Sequence, residues 1–424
     1  MKTKNKLLTA IVLCTLFLVA LPATSIATAQ EDDYVLDIYG NANEDDTIDM
    51  RDVTFTARII LWLEDETDLA DANYDEEVDI FDMMQTGLII LGRESELTVI
   101  DATDRTVTLN MPVERIASSS MPQDIRTIIA LGATDKIVGV PDAIPANAAD
   151  SYPAIYMSHP ELTELPIAGS PYYGGPNIEV IASLEPDLIL VSYADADAVQ
   201  EATGVPTIVT PPSDMEAIAL KGFKWLKMMG YVLNEQARAE ELSSYFHDKL
   251  DEVIDVTSDI PENEKAKVYL AFWGKLTWTP AVYGPVEKAG GILVADEGAP
   301  GPYSPNMLEV SKEQIIAWNP DIILIHSFSP GTHMFSIEDV LSDPDLWSIP
   351  AVANEKVYYT KGFQFGWDPA TGVIECFYMA KLFHPDEFAD LDVEEEGNEI
   401  LEEVYGVDGI WTEMTEKFEL YKWE

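Results

Sequence analysis

The sequence predicts an α/β protein, two similar parallel-sheet lobes joined by one long helix, with a small all-α domain in front. Three observations carry that prediction. The phrase EPDLILVS at 185–192 returns as NPDIILIHS at 319–327. Between the copies, residues 213–258 hold almost no helix breakers except Gly222 and Gly230. Apolar residues recur along this stretch at three and four spacing, among them Ile218, Phe223, Leu226, Tyr231, Ala237, Leu242 and Phe246. Ahead of both copies, two acid-rich loops each run into an amphipathic helix.

At 424 residues and 47% hydrophobic content the chain exceeds what one core can use, since single cores stop growing near roughly 250–300 residues. Residues 1–29 read as a cleaved secretory signal: Lys2, Lys4 and Lys6, the apolar run LLTAIVLCTLFLVAL, then ATA at 27–29. The apolar run is short for a bilayer-spanning helix, which needs about 20 residues. Leu13 precedes Cys14 where lipid attachment would need a small residue. The mature chain is therefore expected outside the cytoplasm, secreted to the cell surface or a periplasm-like space. Removing the signal leaves Cys376 alone, so neither an intramolecular disulfide nor a cysteine-based metal cluster is expected. With 25 Lys+Arg against 76 Asp+Glu, the formal charge of −51 excludes nucleic acid as a partner. The acids are spread along the whole chain, as suits a strongly hydrated protein of a saline habitat.

The N-terminal domain, 37–93, contains the loops NANEDDTIDMRD and DANYDEEVDIFD. The first places oxygen ligands at Asn41, Asn43, Asp45, Asp49 and Asp52, with the carbonyl of Thr47; the second at Asp71, Asn73, Asp75, Asp79 and Asp82, with the carbonyl of Glu77. Positions 1, 3, 5, 7, 9 and 12 of such a loop wrap one calcium, a hard cation that takes six to eight oxygens. Two calcium ions are expected, and apolar Ile48 and Val78 at position 8 would pair the loops. The pair resembles the dockerin domain, whose duplicated loops end in Asp at position 12. Position 6 departs from the pattern, with Asp46 and Glu76 where Gly favours the sharp turn. The resemblance implies a possible cohesin partner, met through Met50, Arg51, Ile80 and Phe81 at the helix starts.

The lobes are expected at 94–212 and 265–412, with a tail at 413–424. Short aliphatic runs such as RIASSS, KIVGV, DLILVS, KVYLAFWG, DIILIHS and KVYYT read as buried parallel strands. The two copies align residue for residue, Glu179 on Glu313, Ile181 on Ile315, Pro186 on Pro320 and Asp187 on Asp321. In each, a short helix ends before a Pro that cannot continue it, and a strand follows. This arrangement resembles the iron-chelate and cobalamin class of substrate-binding proteins for ABC importers. TVIDATDRTVTL, VERIASSSMPQDIRTIIALGATDKIVGV, GGPNIEVIASLEPDLILV, AKLFHPDEFADLD and EEVYGVDG carry the resemblance in order. It implies capture of an iron chelate (siderophore or haem) or a corrinoid between the lobes and delivery to the importer's membrane subunits, with Glu179 and Glu313 as the docking carboxylates.

Ligands of α/β sheets sit beyond the carboxyl ends of the strands. That rule selects Ser118, Ser119, Ser120, Met121, Tyr172, Tyr173, Ser192 and Tyr193 on the first lobe. On the second it selects Trp273, Lys275, Trp278, Tyr303, His326, Phe363, Phe365 and Trp367. No arginine follows Arg238, which leaves Lys275 and Lys361 as the second lobe's cationic cleft residues and favours a large, partly apolar chelate over a strongly anionic one. A free metal ion or oxyanion is the alternative ligand, His326 or His333 being able to ligate a metal, and a surface interaction module the alternative role. No GxSxG, HExxH or phosphate loop occurs and the five histidines are scattered, so an enzyme is not expected.

Overall fold

The computed structural model describes residues 34–171, 173–192, 196–211, 220–272, 274–295, 299–300, 307–326, 335–362 and 368–423. The signal-like segment lies outside the described residues. The chain divides into two compact units, Met1–Val99 and Ile100–Glu424.

In the first unit the acid-rich loops lead into α1 (Met50–Ile60) and α2 (Ile80–Ile90). Asp49 and Asp79 cap the two helices, each in a reciprocal box with Asp52 or Asp82. The helices pack on each other over Ala42, Ile59 and Ala70, with Phe55 and Val78 against them. Residues beyond the expected boundary at 93 belong here too. The strand β1 (Glu96–Ile100) brings Val99 opposite Ile38, the Tyr39 amide donates to Thr98 at 3.0 Å, and the Gln85 amide donates to the Glu96 carbonyl at 2.7 Å.

The second unit opens with β2 (Thr106–Asn110), β3 (Ile116–Ser118), α3 (Gln123–Ala130) and β4 (Ile137–Pro141). There follow α4 (Ala143–Ser151), α5 (Pro153–Ser158), β5 (Ile167–Ser170), β6 (Gly175–Pro176) and α6 (Ile178–Leu184). The lobe ends with β7 (Leu188–Val191), α7 (Ala196–Thr203) and β8 (Thr207–Val209). Its sheet runs β6-β5-β4-β3-β7-β8, parallel except for β6.

The single connecting helix expected over 213–258 is instead a helical hairpin, α8 (Leu220–Leu233) and α9 (Gln236–Thr257). Asn234 takes a left-handed φ of 60°, which Asn tolerates better than most residues and which ends the first helix. Gly230 permits the close approach, because a Cβ there would lie 2.5 Å from that of Ala239. Phe223 stacks on Phe246 at 5.7 Å, and Lys227 pairs with Glu240 at 3.0 Å across the hairpin. The periodicity that suggested one helix is the shared apolar seam of two. α8 lies against α3 of the first lobe and α9 leads into the second.

The second lobe comprises β9 (Lys267–Ala271), β10 (Trp278–Pro280), α10 (Gly284–Lys288), β11 (Ile292–Leu293), β12 (Ala299–Pro300), β13 (Met307–Glu309), α11 (Lys312–Trp318) and β14 (Ile322–His326). After these come α12 (Ile337–Ser342), α13 (Pro350–Ala353), β15 (Val357–Thr360), α14 (Pro369–Phe383), α15 (Val393–Tyr405) and α16 (Ile410–Lys417). Its parallel sheet runs β11-β9-β14-β15, with a small antiparallel sheet β10-β13-β12. α9 packs on α10 and α14, while α15 and α16 reach back to α3 and α5 of the first lobe.

The repeated phrase is β7 and β14 with the turns before them. α6 and α11 are capped by Asn177 and Ser311, and each ends on a left-handed residue, Glu185 at φ 46° and Asn319 at φ 54°. The aspartate that follows the proline fastens the neighbouring strand. Asp187 accepts from the amides of Glu114 and Arg115 at 3.0 and 2.9 Å, and Asp321 accepts from that of Lys267 at 3.0 Å. Each aspartate amide also donates to the same neighbour, Asp187 to Arg115 and Asp321 to Lys267, both at 2.8 Å. Asp187→Ala or Asp321→Ala should lower the stability of this unit by about 1–3 kcal/mol, as charge-assisted bonds to the strand starts are lost. Urea titration of the variants checks this, and an unchanged midpoint would count against the fastening.

Candidate functional site

The strand order places the carboxyl ends of β3, β7 and β8 side by side, and three serines leave β3 together. Ser118, Ser119 and Ser120 are all buried, as is Met121 after them. The Ser120 hydroxyl pairs with that of Thr210 at 2.7 Å, and the Gln123 amide donates to the Pro211 carbonyl at 2.7 Å. Ser118 donates to Asp124 at 3.5 Å. Ser119 Oγ, Ser192 Oγ, Gln123 Oε1 and Asp124 Oδ1 are buried with no hydrogen-bond partner among the described residues. Such atoms are rare in folded interiors because they have lost water without replacement. Burial pushes the Asp124 carboxyl up to about 8, against the opposing pull of the Ser120 and Ser118 hydroxyls. At neutral pH it is an uncharged acid.

The second lobe offers charge where the first offers hydroxyls. β14 ends in His326, 2% exposed, its ring stacked on Phe272 at 4.4 Å. Burial, then Lys361, lowers its basicity, which keeps it neutral. Gly362, at φ +63°, has to be glycine, since a Cβ would lie 2.5 Å from the His326 ring. Lys361 is buried with its ammonium 4.4 Å from the Phe418 ring centroid, and its pKa falls to about 8 through burial and then the Arg126 charge. Glu375 accepts from the Thr360 hydroxyl and, at 3.3 Å, from the Lys361 amide, and burial raises it to about 7.

Arg126 of α3 reaches this cluster from the first lobe. Its Nε lies 3.6 Å from Asp368, the N-cap of α14, and its guanidinium sits 5.3 Å from the Tyr152 ring centroid. Asp368 also accepts from Thr371 at 2.9 Å and from the Tyr405 hydroxyl at 3.2 Å. Two cations from opposite lobes therefore sense one another across a region from which water is largely excluded.

Among the candidate residues, Ser119, Ser120 and Met121 gather at the first-lobe edge and His326 at the second. Tyr173 is exposed, its amide donating to Ser170 at 3.1 Å. Lys275 and Trp278 engage each other, the ammonium 3.8 Å from the indole centroid. Tyr172, Tyr193, Trp273, Tyr303, Phe363, Phe365 and Trp367 lie outside the described residues, as does His333. Reading by strand ends missed Gln123, Asp124, Arg126, Asp368 and Glu375. The polar run QDIR directly after SSSMP was the available signal for the first three. Glu179 and Glu313 are both exposed in the first turns of α6 and α11.

The two acidic loops of the first unit share their central hydrogen bonds. Asp52 and Asp82 accept from the amides of Asn43 and Asn73, both at 3.1 Å, while the Asn43 and Asn73 side chains donate to Asp45 and Asp75 at 2.7 and 2.8 Å. The left-handed residue they share is at position 4, Glu44 and Tyr74, and only Glu76 adds one at position 6. Burial and then neighbouring carboxylates raise Asp52 to about 6, and the same causes raise Asp82. These carboxylates and amide oxygens are the donor type a hard cation takes. Among the described residues no three acidic, histidine or cysteine groups converge as a metal set. In the first loop Arg51 already bridges Asp45 and Asp49 at 3.1 and 2.9 Å, whereas the second loop has Phe81 there.

Two parallel-sheet lobes with a polar edge between them define a solute-binding protein. A family model described as periplasmic binding protein matches residues 121–362, and the chain belongs to that family. Its members are extracytoplasmic solute-binding proteins of ABC transporters, not enzymes. The chain is 23% identical over 331 residues to the molybdate-binding protein MolA of Haemophilus influenzae, covering 72% of this chain and 90% of that one. The structure of MolA with molybdate superposes with a TM-score of 0.59 at 20% identity, covering 73% and 98% of the two chains. An uncharacterised ABC transporter substrate-binding lipoprotein of Bacillus subtilis is 23% identical over 61% of this chain and 76% of its own. Helicobacter pylori CeuE in a Ni-His complex gives a TM-score of 0.56 at 21% identity, over 77% of this chain and all of that one. Among the described residues no helix is long and apolar enough to cross a membrane.

Proposed function

We propose that this chain captures an anionic solute between its lobes and delivers it to the membrane subunits of an ABC importer. The observation that carries this reading is that two buried cations, Arg126 and Lys361, face each other from opposite lobes, with Asp368 paired to Arg126 and the raised acid Glu375 beside Lys361. Burial raises Asp124 to about 8 and Glu375 to about 7, and Asp368 is the acid that pairs with Arg126. The two cations thus share one paired carboxylate, and the orphaned hydroxyls of Ser119 and Ser192 are donors suited to a small oxyanion. The relation to MolA supports an oxyanion. The preference for a siderophore, haem or corrinoid rests on aromatic candidates of which all but Tyr173 and Trp278 lie outside the described residues, and it is the second reading. Arg126 removes the objection to anions that the arginine-free second lobe raised.

Calorimetry and native mass spectrometry against molybdate, tungstate and sulfate, with ferric siderophores, haem and cobamides alongside, test this proposal. An oxyanion should bind with micromolar or better affinity. Raising the pH from 6 to 9 discharges Lys361 and ionises Glu375 and Asp124, so that affinity should fall by about tenfold or more, and Lys361→Met should weaken binding similarly at pH 6. Binding of a neutral chelate alone, independent of pH, would sink the anion reading.

Delivery requires that the importer sense both lobes. Glu179 and Glu313 occupy equivalent, solvent-facing positions on the two copies of the repeat. Replacing both by Ala should leave folding and ligand affinity intact and abolish ligand-stimulated ATP hydrolysis by the reconstituted importer. If stimulation survives, these carboxylates serve only as first-turn partners of their helix dipoles.

We further propose that calcium orders the first unit, chiefly through the second loop, where no guanidinium stands among the carboxylates. Exposed Met50, Ile80 and Phe81, with Trp62 at 93% exposure, would form the face offered to a cohesin-like partner. Adding a chelator should raise amide exchange at 71–82 more than at 41–52 and leave the lobes unchanged. Equal exchange with and without chelator would dismiss the calcium role.

A further inference from the structure

α14 begins at the interlobe cluster, and its other end lines a separate cavity. Tyr378 and Lys381 lie about 14 and 18 Å beyond Pro369 along the helix, at about 1.5 Å per residue. There the loop before α15, the first turn of α15, α16 and residues 421–423 line a solvent-open cleft of about 700 Å³, a volume typical of small-molecule sites.

One wall is aromatic. Trp423 meets Tyr378 and Tyr421 edge to face at 5.6 and 5.2 Å, and buried Trp411 lies among the lining residues. The polar lining is dominated by carboxylates, Asp390, Asp392, Glu394 and Glu395. The two lysines present are engaged within the fold. Lys381 donates to the carbonyls of Ala389 and Leu391 beside the Trp423 ring, and Lys422 pairs with Glu416 at 3.6 Å. Thr415 also lines the cavity. It is 5% exposed, and its hydroxyl has no hydrogen-bond partner among the described residues. An unpartnered hydroxyl on a residue that lines a cavity large enough for a solute is an open hydrogen-bonding position.

We propose that this cavity binds a small organic ammonium ion. The ring faces and the excess of carboxylates favour a cation, since ammonium groups are held by aromatic rings through the ring quadrupole. The Thr415 hydroxyl would bond an N–H or O–H of the same molecule. The site is separate from the interlobe edge and independent of which solute binds there.

Calorimetry on the full chain at low ionic strength with choline and with spermidine tests the proposal, using glucose and matched sodium chloride as comparators. At least one amine should bind saturably. Trp423→Ala should weaken that binding about tenfold, and Thr415→Val, which keeps the side-chain shape, severalfold. Neither change should alter binding at the interlobe site. Four results would overturn the proposal: no saturable amine binding, heats reproduced by sodium chloride, a preference for glucose, or amine binding that both variants leave intact. Because loss of Trp423 removes packing from the C-terminal residues, Thr415→Val carries the decision if the first variant is unstable.

Discussion

The second unit depends on one constraint, that neighbouring parallel strands start at the same level. Parallel pairing has evenly spaced, slanted bonds and no hairpin turn to set its register, so something outside the ladder must fix it. Asp187 and Asp321 do this by seizing the amides at the start of the adjacent strand, while the prolines before them keep the preceding helices from running on. With the starts level, the far ends are level too. Ile116 pairs with Leu188 at one end of its ladder and Ser118 with Leu190 at the other, so Ser119 and Ser192 emerge from adjacent strands. In the second lobe the same arrangement carries His326 beside Thr360, next to Lys361. The repeated phrase is thus a device for delivering two strand edges to their functional positions.

The copies share this frame and differ where their strands end. One edge has small hydroxyls and a neutralised acid, and the other has a neutral imidazole and a buried ammonium. Burying an ammonium without compensation is costly, and depressing its pKa is the usual response. Lys361 follows that rule, yet it still titrates near neutrality beside Arg126. A bound anion would relieve both cations, and so the cluster's cost in the empty fold becomes affinity in the loaded one.

Much of this fold is legible in the sequence, because its signals are local. The Pro-Asp phrase fixes two strands, SSS ends a third, and the twelve-residue spacing of oxygens fixes two loops. The connector was misread for a physical reason. An apolar stripe shows which face is buried but not against what, and a seam shared by two antiparallel helices has the same period as one long helix. Gly230 and Asn234 were the local marks of the turn, and single weak helix formers of this kind also occur inside continuous helices. The site divides along the same line. Serines and His326 at strand ends follow from the strand rule, whereas the meeting of Arg126 with Asp368 and Lys361 depends on how the lobes pack, which no spacing records.

That packing also ties the lobes to each other. α8 lies against the first lobe and α9 against the second, while α15 and α16 return to the first, so the lobes are joined by packed helices at both ends of the second lobe. Arg238 on α9 ties into α15 by pairing with Glu403 at 2.8 Å and donating to its carbonyl. The Arg126–Asp368 pair sits inside this frame with both side chains nearly shielded from water. Separating the lobes would break this pair and the Arg238–Glu403 tie together with the helix packing around them. Within this packing Glu179 and Glu313 stand in the first turns of equivalent helices, one on each lobe.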